Sequence, residues 1–251
     1  MRFLPIGSPS SMPPPLFPPS TPSDSAVVLF SGGQDSTTCL FWALHHFDGE
    51  VRALSIQYGQ KHSVEVRQAR KIAETAGVPL DELDADGLLS GSALTEHDKD
   101  ISAQHDKDED LPASFVPGRN ALFLNLAAAF AYNRDIRDVV GGMCQTDYSG
   151  YPDCRRVFVD SMQTSLSLAM DVDVRLHTPL MYQTKAETWK LAKDLGTVAG
   201  CDVFETVRVM SHTDYNGDRS QFNEWGYGKL DNPASKLRAN GYREAKENGW
   251  I

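Results

Sequence analysis

The chain has 251 residues, 41% hydrophobic and 23% charged, with 34 acidic against 24 basic side chains and a formal charge of −10. That balance fits one large α/β domain or a domain with a small appendage, and it excludes a broad surface for direct nucleic-acid binding, which leans on clustered Lys and Arg. No apolar run approaches the roughly 20 residues that span a bilayer, and the acidic balance makes a free small molecule the expected substrate.

In chain order, eight of the 14 prolines lie in residues 1–25, with serines between them, and are read as a disordered Pro/Ser-rich tail without the apolar core of a secretory signal. Ala26 to Phe30 is a predicted strand. It runs into Ser31-Gly32-Gly33-Gln34-Asp35-Ser36-Thr37-Thr38, and Thr37 to His46 is a predicted helix. Glycines that bring backbone close to a ligand, hydroxyls that donate and a helix start that faces an anion together make a phosphate cradle. The dinucleotide pattern and the Walker pattern are both absent.

Val51 to Gln57 is the second strand, followed by Gln57-Tyr58-Gly59-Gln60-Lys61-His62 and a helix over Ser63 to Ala76 with Val64, Ala69, Ile72 and Ala73 on one side. Glu96 to Pro112 contains His-Asp-Lys-Asp twice and reads as a mobile polar lid. Pro117-Gly118-Arg119-Asn120 precedes a buried helix over Leu122 to Tyr132, and Arg119 carries the planar fork that suits phosphate. Asp138 to Gly142 is a strand. The loop after it holds Asp147, Tyr148, Ser149, Tyr151 and Asp153, groups that stack on a flat heterocycle and bond its edge, or serve as turn formers. Helices are predicted over Phe158 to Met170 and Lys185 to Leu195, the second opened by a capping box of Thr184 and Glu187. Lys185 at a helix start is electrostatically disfavoured and fits a bound pyrophosphate there. Alternating strands and helices predict an α/β fold, a doubly wound, mostly parallel sheet with ligands at the carboxyl ends of its strands. Cys39, Cys144, Cys154 and Cys201 form no Cys-x-x-Cys pair, which points to a reducing cytoplasmic setting.

Ser-Gly-Gly-x-Asp-Ser resembles the loop of enzymes that cleave ATP between its α and β phosphates. Phe-Ser-Gly-Gly-Gln-Asp-Ser-Thr-Thr-Cys-Leu, Tyr-Gly-Gln-Lys-His, Val-Pro-Gly-Arg-Asn, Thr-Asp-Tyr-Ser-Gly-Tyr-Pro-Asp-Cys-Arg, Thr-Pro-Leu-Met, Thr-Lys-Ala-Glu-Thr and Leu-Arg-Ala-Asn-Gly, spread over roughly residues 26 to 246, resemble the 7-cyano-7-deazaguanine synthase (QueC-like) family of that superfamily. The resemblance implies an adenine nucleotide alpha hydrolase-like domain over 26–200 and a C-terminal segment over 201–251. It implies adenylation of 7-carboxy-7-deazaguanine by ATP with Mg²⁺, then attack by ammonia to give the amide and, with a second ATP, the nitrile. Asp35, Ser36, Arg119 and Lys185 are then catalytic, with Asp35 the candidate Mg²⁺ ligand. Phe30, Ser31, Gly32, Gly33, Gln34, Asp35, Ser36, Thr37, Gln57, Tyr58, Gly59, Arg119 and Lys185 would bind ATP; Gln60, His62, Asn120, Asp147, Tyr148, Ser149, Tyr151 and Asp153 would bind the deazaguanine. A homodimer is expected.

One departure from the family is large. Its four zinc cysteines correspond here to Asp214, Lys229, Asn232 and Ser235, a set that cannot build a tetrahedral thiolate site, so zinc is expected to be absent. An Asp214–Lys229 ion pair is the expected replacement. A paralogue that passes the activated deazaguanine to another amine, for example on a protein in antiphage defence, and an inactive nucleotide-binding regulator are the alternatives.

Overall fold

The computed structural model describes residues 24–58, 64–86, 116–146, 151–213 and 217–251, and the backbone of 104–105 and 108–112. Strands β1 (Ala26–Leu29), β2 (Val51–Gln57) and β3 (Leu80–Asp84) alternate with helices α1 (Gln34–His46) and α2 (Val64–Ala76). A short antiparallel ribbon, β4 (Gln104–His105) with β5 (Asp108–Pro112), precedes α3 (Arg119–Tyr132), β6 (Asp138–Val140), α4 (Arg156–Met170), β7 (Arg175–His177) and α5 (Lys185–Asp194). The C-terminal part adds the ribbon β8 (Thr197–Val198) and β9 (Cys201–Asp202), α6 (Val203–Met210), the ribbon β10 (Phe222–Asn223) and β11 (Gly226–Tyr227), and α7 (Pro233–Glu247).

Five strands form one parallel sheet in the order β3-β2-β1-β6-β7. The period of two in β1 divides its side chains between two cores. Ala26, Val28 and Phe30 join a cluster with α1, α2, α5, α6 and α7, whereas Val27 joins one with α3 and α4. Helices therefore cover both faces, as the alternation predicts. The chain moves outward from β1 in one direction and returns to β6 on the other side, so the crevice at the carboxyl ends of β1 and β6 is a topological switch point, where open α/β sheets bind ligands.

Several boundaries differ from the sequence expectation for local reasons. Helix α1 starts at Gln34 rather than Thr37, because Gly33 is already an extended N-cap and Ser36 Oγ returns to the Gly33 carbonyl at 3.3 Å. Helix α3 starts at Arg119 rather than Leu122 on a left-handed Gly118, α4 starts at Arg156 rather than Phe158, and β6 ends at Val140 rather than Gly142. The stretch expected to be an irregular lid contains the β4–β5 ribbon; the rest of it, like the proline-rich tail, lies outside the described residues. Helix α5 carries the expected capping box of Thr184 and Glu187. No helix among the described residues is long and apolar enough to cross a membrane.

Candidate active site

The turn from β1 into α1 is closed by its own hydroxyls. Ser31 Oγ and Ser36 Oγ lie 3.1 Å apart, and the Gly33 amide donates to Ser31 Oγ at 3.3 Å. Gly32 has φ +78°, and a Cβ there would sit 2.7 Å from the Ala69 amide nitrogen, so α2 packs directly on this backbone. From the other side the His212 amide donates to the Gly32 carbonyl at 3.0 Å. The cradle is thus fixed by α2 and by the segment after α6, neither of them adjacent in sequence.

Into this frame α1 places several buried polar atoms. Among the described residues, Gln34 Oε1 and Nε2, Asp35 Oδ1 and Thr37 Oγ1 are buried without a hydrogen-bond partner. Buried polar atoms are nearly always paired, so such a group at one helix start is open to a ligand or to ordered water. The carboxylate oxygen is a hard donor of the kind Mg²⁺ takes, and the amide and hydroxyl suit phosphate oxygens or bound water. Asp35 also fits the positive end of the α1 dipole.

The other oxygen of Asp35 is engaged. Lys185 Nζ, at the first position of α5, donates to Asp35 Oδ2 at 2.6 Å. Beneath them the backbone after β6 closes in: a Cβ on Gly142 would lie 3.3 Å from Asp35 Cβ and 3.5 Å from the Ser36 amide nitrogen. The position of Lys185 depends in turn on α7, since a Cβ on Gly241 would meet Lys185 Cβ at 2.5 Å and its carbonyl carbon at 2.8 Å.

Across the crevice, the Arg119 guanidinium lies 5.9 Å from the centroids of both Tyr58 and Tyr151 and reaches Tyr58 Oη at 3.4 Å. Gln57 ends β2, and its carbonyl accepts from Ala85 N at 2.7 Å. The Asn120 amide donates to Asp153 Oδ2 at 3.1 Å, and Asn120 Nδ2 donates to the Asp153 carbonyl at 3.1 Å and reaches Cys154 Sγ at 3.3 Å. Asp153 therefore caps the start of α3, which seats the predicted substrate loop on the helix that carries Arg119. The loops after β6 and β7 are tied as well, with Gln145 N donating to the Met181 carbonyl at 2.9 Å and Cys144 Sγ to that of Gln183 at 3.2 Å. Burial, with Asp35 and Asp153 beside them, pushes the Cys39 thiol well up and that of Cys154 to about 11, so neither is a ready thiolate. Gly59, Gln60, His62, Asp147, Tyr148 and Ser149 lie outside the described residues.

At the C-terminal positions where the family would carry cysteines, Asn232 and Ser235 bond each other. Asn232 Oδ1 accepts the Ser235 amide at 2.9 Å as the N-cap of α7, and Asn232 Nδ2 reaches Ser235 Oγ at 3.2 Å. Lys229 pairs with Asp218, a partner the sequence reading did not name, while Asp214 lies outside the described residues. The larger tie is Arg238, which is fully buried. Its guanidinium donates to the carbonyls of Val207 (3.0 Å), Arg208 (3.1 Å) and Trp225 (3.1 Å) and to Ser211 Oγ (2.8 Å) and Thr213 Oγ1 (2.9 Å). Burial lowers its pKa to about 9, which leaves it protonated at neutral pH. Arg219 caps the same helix end, donating to the carbonyls of Val209 (2.8 Å), Met210 (3.3 Å) and Ser211 (3.1 Å). These two residues were not singled out from sequence, where each is one more charged side chain; only the Leu-Arg-Ala-Asn-Gly run marked Arg238.

The sequence model of the family described as "Queuosine biosynthesis protein QueC" matches residues 25–246. A 7-cyano-7-deazaguanine synthase of Bacteroides fragilis is 52% identical over 225 residues, covering 88% of this chain and 96% of the relative. One of Wolinella succinogenes is 45% identical over 232 residues, covering 91% and 97%. Among solved structures, a predicted subunit of tRNA methyltransferase from Methanocaldococcus jannaschii aligns with TM-score 0.39 and 19% identity over 62% of this chain and 68% of that one. The U34-tRNA thiolase NcsA from Methanococcus maripaludis aligns with TM-score 0.40 and 13% identity over 74% and 65%.

Proposed function

The chain belongs to the QueC family of queuosine biosynthesis proteins, and from that membership we propose that it is an ATP-dependent carbon–nitrogen ligase that converts 7-carboxy-7-deazaguanine to its amide and then to the 7-cyano nitrile. The observation that carries the reading is the meeting of Asp35 and Lys185 at 2.6 Å over a glycine-built cradle, beside buried Gln34, Asp35 and Thr37 atoms left without partners.

A carboxylate is a poor electrophile and hydroxide a poor leaving group. In the proposed reaction a carboxylate oxygen attacks the α-phosphorus of ATP, the bond to the β-phosphate breaks, and pyrophosphate departs. Ammonia then attacks the acyl carbon, loses a proton, and AMP leaves with the carbon–oxygen bond. A second activation at the amide oxygen, with loss of the two amide protons and of AMP, gives the nitrile. Asp35 would hold Mg²⁺, which when bound spreads charge building on the phosphate oxygens. Lys185 and Arg119 supply positive charge from two sides, and the hydroxyls of Ser31 and Ser36 and the amides of the turn line the leaving pyrophosphate. Tyr151 and Asp153, with Asp147, Tyr148 and Ser149 and with Gln60, His62 and Asn120, are assigned to the deazaguanine. Gln57, Tyr58 and Gly59 are assigned to the nucleotide. Zinc takes no part, and the Arg238 contacts and the Asn232–Ser235 cap support that reading by holding the segment together themselves.

The test is to incubate the full chain with ATP, Mg²⁺, ammonia and 7-carboxy-7-deazaguanine and to weigh the products. Nitrile or amide with AMP and pyrophosphate is expected. AMP formed only when another amine is supplied would reassign the acceptor, and unconsumed ATP would make the protein a nucleotide-binding regulator.

A further inference from the structure

Beside the cradle, on the side of α2, the structure has a cleft of about 240 Å³ lined by Val64, Arg67, Gln68, Lys71, Gly217 and Arg219. Three of the six are cations and none is acidic, in a chain of formal charge −10. Arg67 and Lys71 are four residues apart, so they project from one face of α2, where like charges repel. Among the described residues, neither has a carboxylate within ion-pair distance. Their neighbour Arg70 differs, held by Glu82 through two bonds of 2.8 Å. The third cation is fixed in place: the carbonyls of Val209, Met210 and Ser211 hold the Arg219 guanidinium, and the Tyr227 ring lies 4.1 Å from it. Gln68 is buried at 8% exposure and brings an amide to the same wall.

The cleft and the cradle share α2. Ala69, next to Gln68, is the residue whose amide nitrogen a Cβ on Gly32 would approach to 2.7 Å. We propose that this cleft is a second anion site that takes free inorganic pyrophosphate. Three cations and an amide around a small concavity match a compact, multiply charged anion, whereas a nucleic-acid strand needs a row of cations along a surface. The choice of pyrophosphate rests on the reading above, in which it is released at the cradle; the basic cleft does not depend on that reading. Held there after leaving the cradle, pyrophosphate is separated from the newly activated acyl group, which disfavours the reverse reaction.

The experiment is calorimetric titration of the full chain with inorganic pyrophosphate at low salt, compared with R67E/K71E and with K185A. The expected result is two equivalents bound by the parent, one lost in R67E/K71E with ATP binding and melting temperature retained, and the other lost in K185A. A single equivalent in the parent, or two retained in R67E/K71E, overturns the proposal. Binding of a single-stranded RNA that R67E/K71E abolishes, with one pyrophosphate equivalent in the parent, reassigns the cleft to nucleic acid and overturns it too. Because the readout is binding, two equivalents in a protein that does not turn over the deazaguanine would sink the proposed reaction and leave the cleft site standing.

Discussion

Lys185 Nζ and Asp35 Oδ2 are 2.6 Å apart although 150 residues separate them in the chain. Each sits at the start of a helix, and there the carboxylate is favoured by the dipole and the ammonium disfavoured, so the pair relieves Lys185 while Asp35 Oδ1 has no partner among the described residues. Lys185→Ala is expected to lower kcat/KM for pyrophosphate release by about 2 to 4 kcal/mol of transition-state stabilisation, the range for one lost electrostatic donor. Asp35→Ala should remove release altogether. Steady-state rates equal to the parent in both variants would reduce the pair to a structural contact.

Gly241 lies in the middle of α7. By helix propensity alone, Ala there should stabilise the protein by about 1 kcal/mol. The contact with Lys185 reverses the sign: the added methyl meets Lys185 Cβ at 2.5 Å, and moving two packed helices apart costs about 1 to 3 kcal/mol. Gly241→Ala should therefore lower the midpoint of urea unfolding and also reduce the rate of the ATP step. A raised midpoint would show that α7 yields freely.

Arg238 serves three carbonyls and two hydroxyls, and each buried acceptor left unpaired costs about 1 to 3 kcal/mol. Arg238→Met is expected to destabilise by at least about 3 kcal/mol. Arg238→Lys should recover little, because an ammonium cannot supply a planar fork of donors. Thermal melts of the two variants that match the parent would show that packing of Trp189 and Trp225 suffices.

Asp138, at 2% exposure, accepts from Arg175 Nε at 2.8 Å and Nη2 at 2.6 Å and from His177 Nε2 at 2.7 Å. Burial pushes its carboxyl up, but the bonds from Arg175 and His177 outweigh it and leave the pKa below the usual carboxylate range. A depressed folded pKa gives stability that is present above the unfolded value, near 3.9, and is lost as pH falls through the folded one. Urea unfolding should therefore show stability falling with acid below about pH 4, and Asp138→Asn should flatten that slope while lowering stability at pH 7. An unchanged acid slope would assign it to other carboxylates.

Metal analysis of the purified protein should find less than one zinc per chain, and chelators should leave the melting temperature unmoved, because a structural zinc site is coupled to folding. Asn232→Ala is expected to cost about 1 kcal/mol as a lost N-cap. Lys229→Met should cost less than about 1 kcal/mol, since Lys229 is half exposed and its pair with Asp218 is screened by water. One zinc per chain would overturn the assignment.

What could be read from sequence was what local rules govern. The cradle, the two covered faces and the Thr184–Glu187 box each follow from neighbours within a few residues. Strands β3 and β7 escaped, because Leu-Asp-Glu-Leu-Asp and Arg-Leu-His carry too few apolar residues to announce a strand, and they are held at the sheet edges by β2 and β6. Helix α7 escaped because a buried position is occupied by Arg238, which breaks the apolar period. Within the site, the residue types were legible but their pairings were not. Asp35 with Lys185 and Asn120 with Asp153 are long-range contacts, and the Lys229–Asp218 pair joins two residues 11 apart in a segment with no regular period.

The Arg238 contacts also set an order of assembly. Its partners Val207, Arg208, Ser211, Thr213 and Trp225 all precede it, by 13 to 31 residues. The segments α6 and His212, the second of which backs the Gly32 carbonyl, therefore come before the guanidinium that ties them down. Arg238 then closes bonds to three carbonyls and two hydroxyls, and the same helix brings Gly241 against Lys185. A polypeptide truncated before α7 therefore retains the cradle sequence yet lacks both the helix that packs on Lys185 and the guanidinium that ties down the segment backing Gly32.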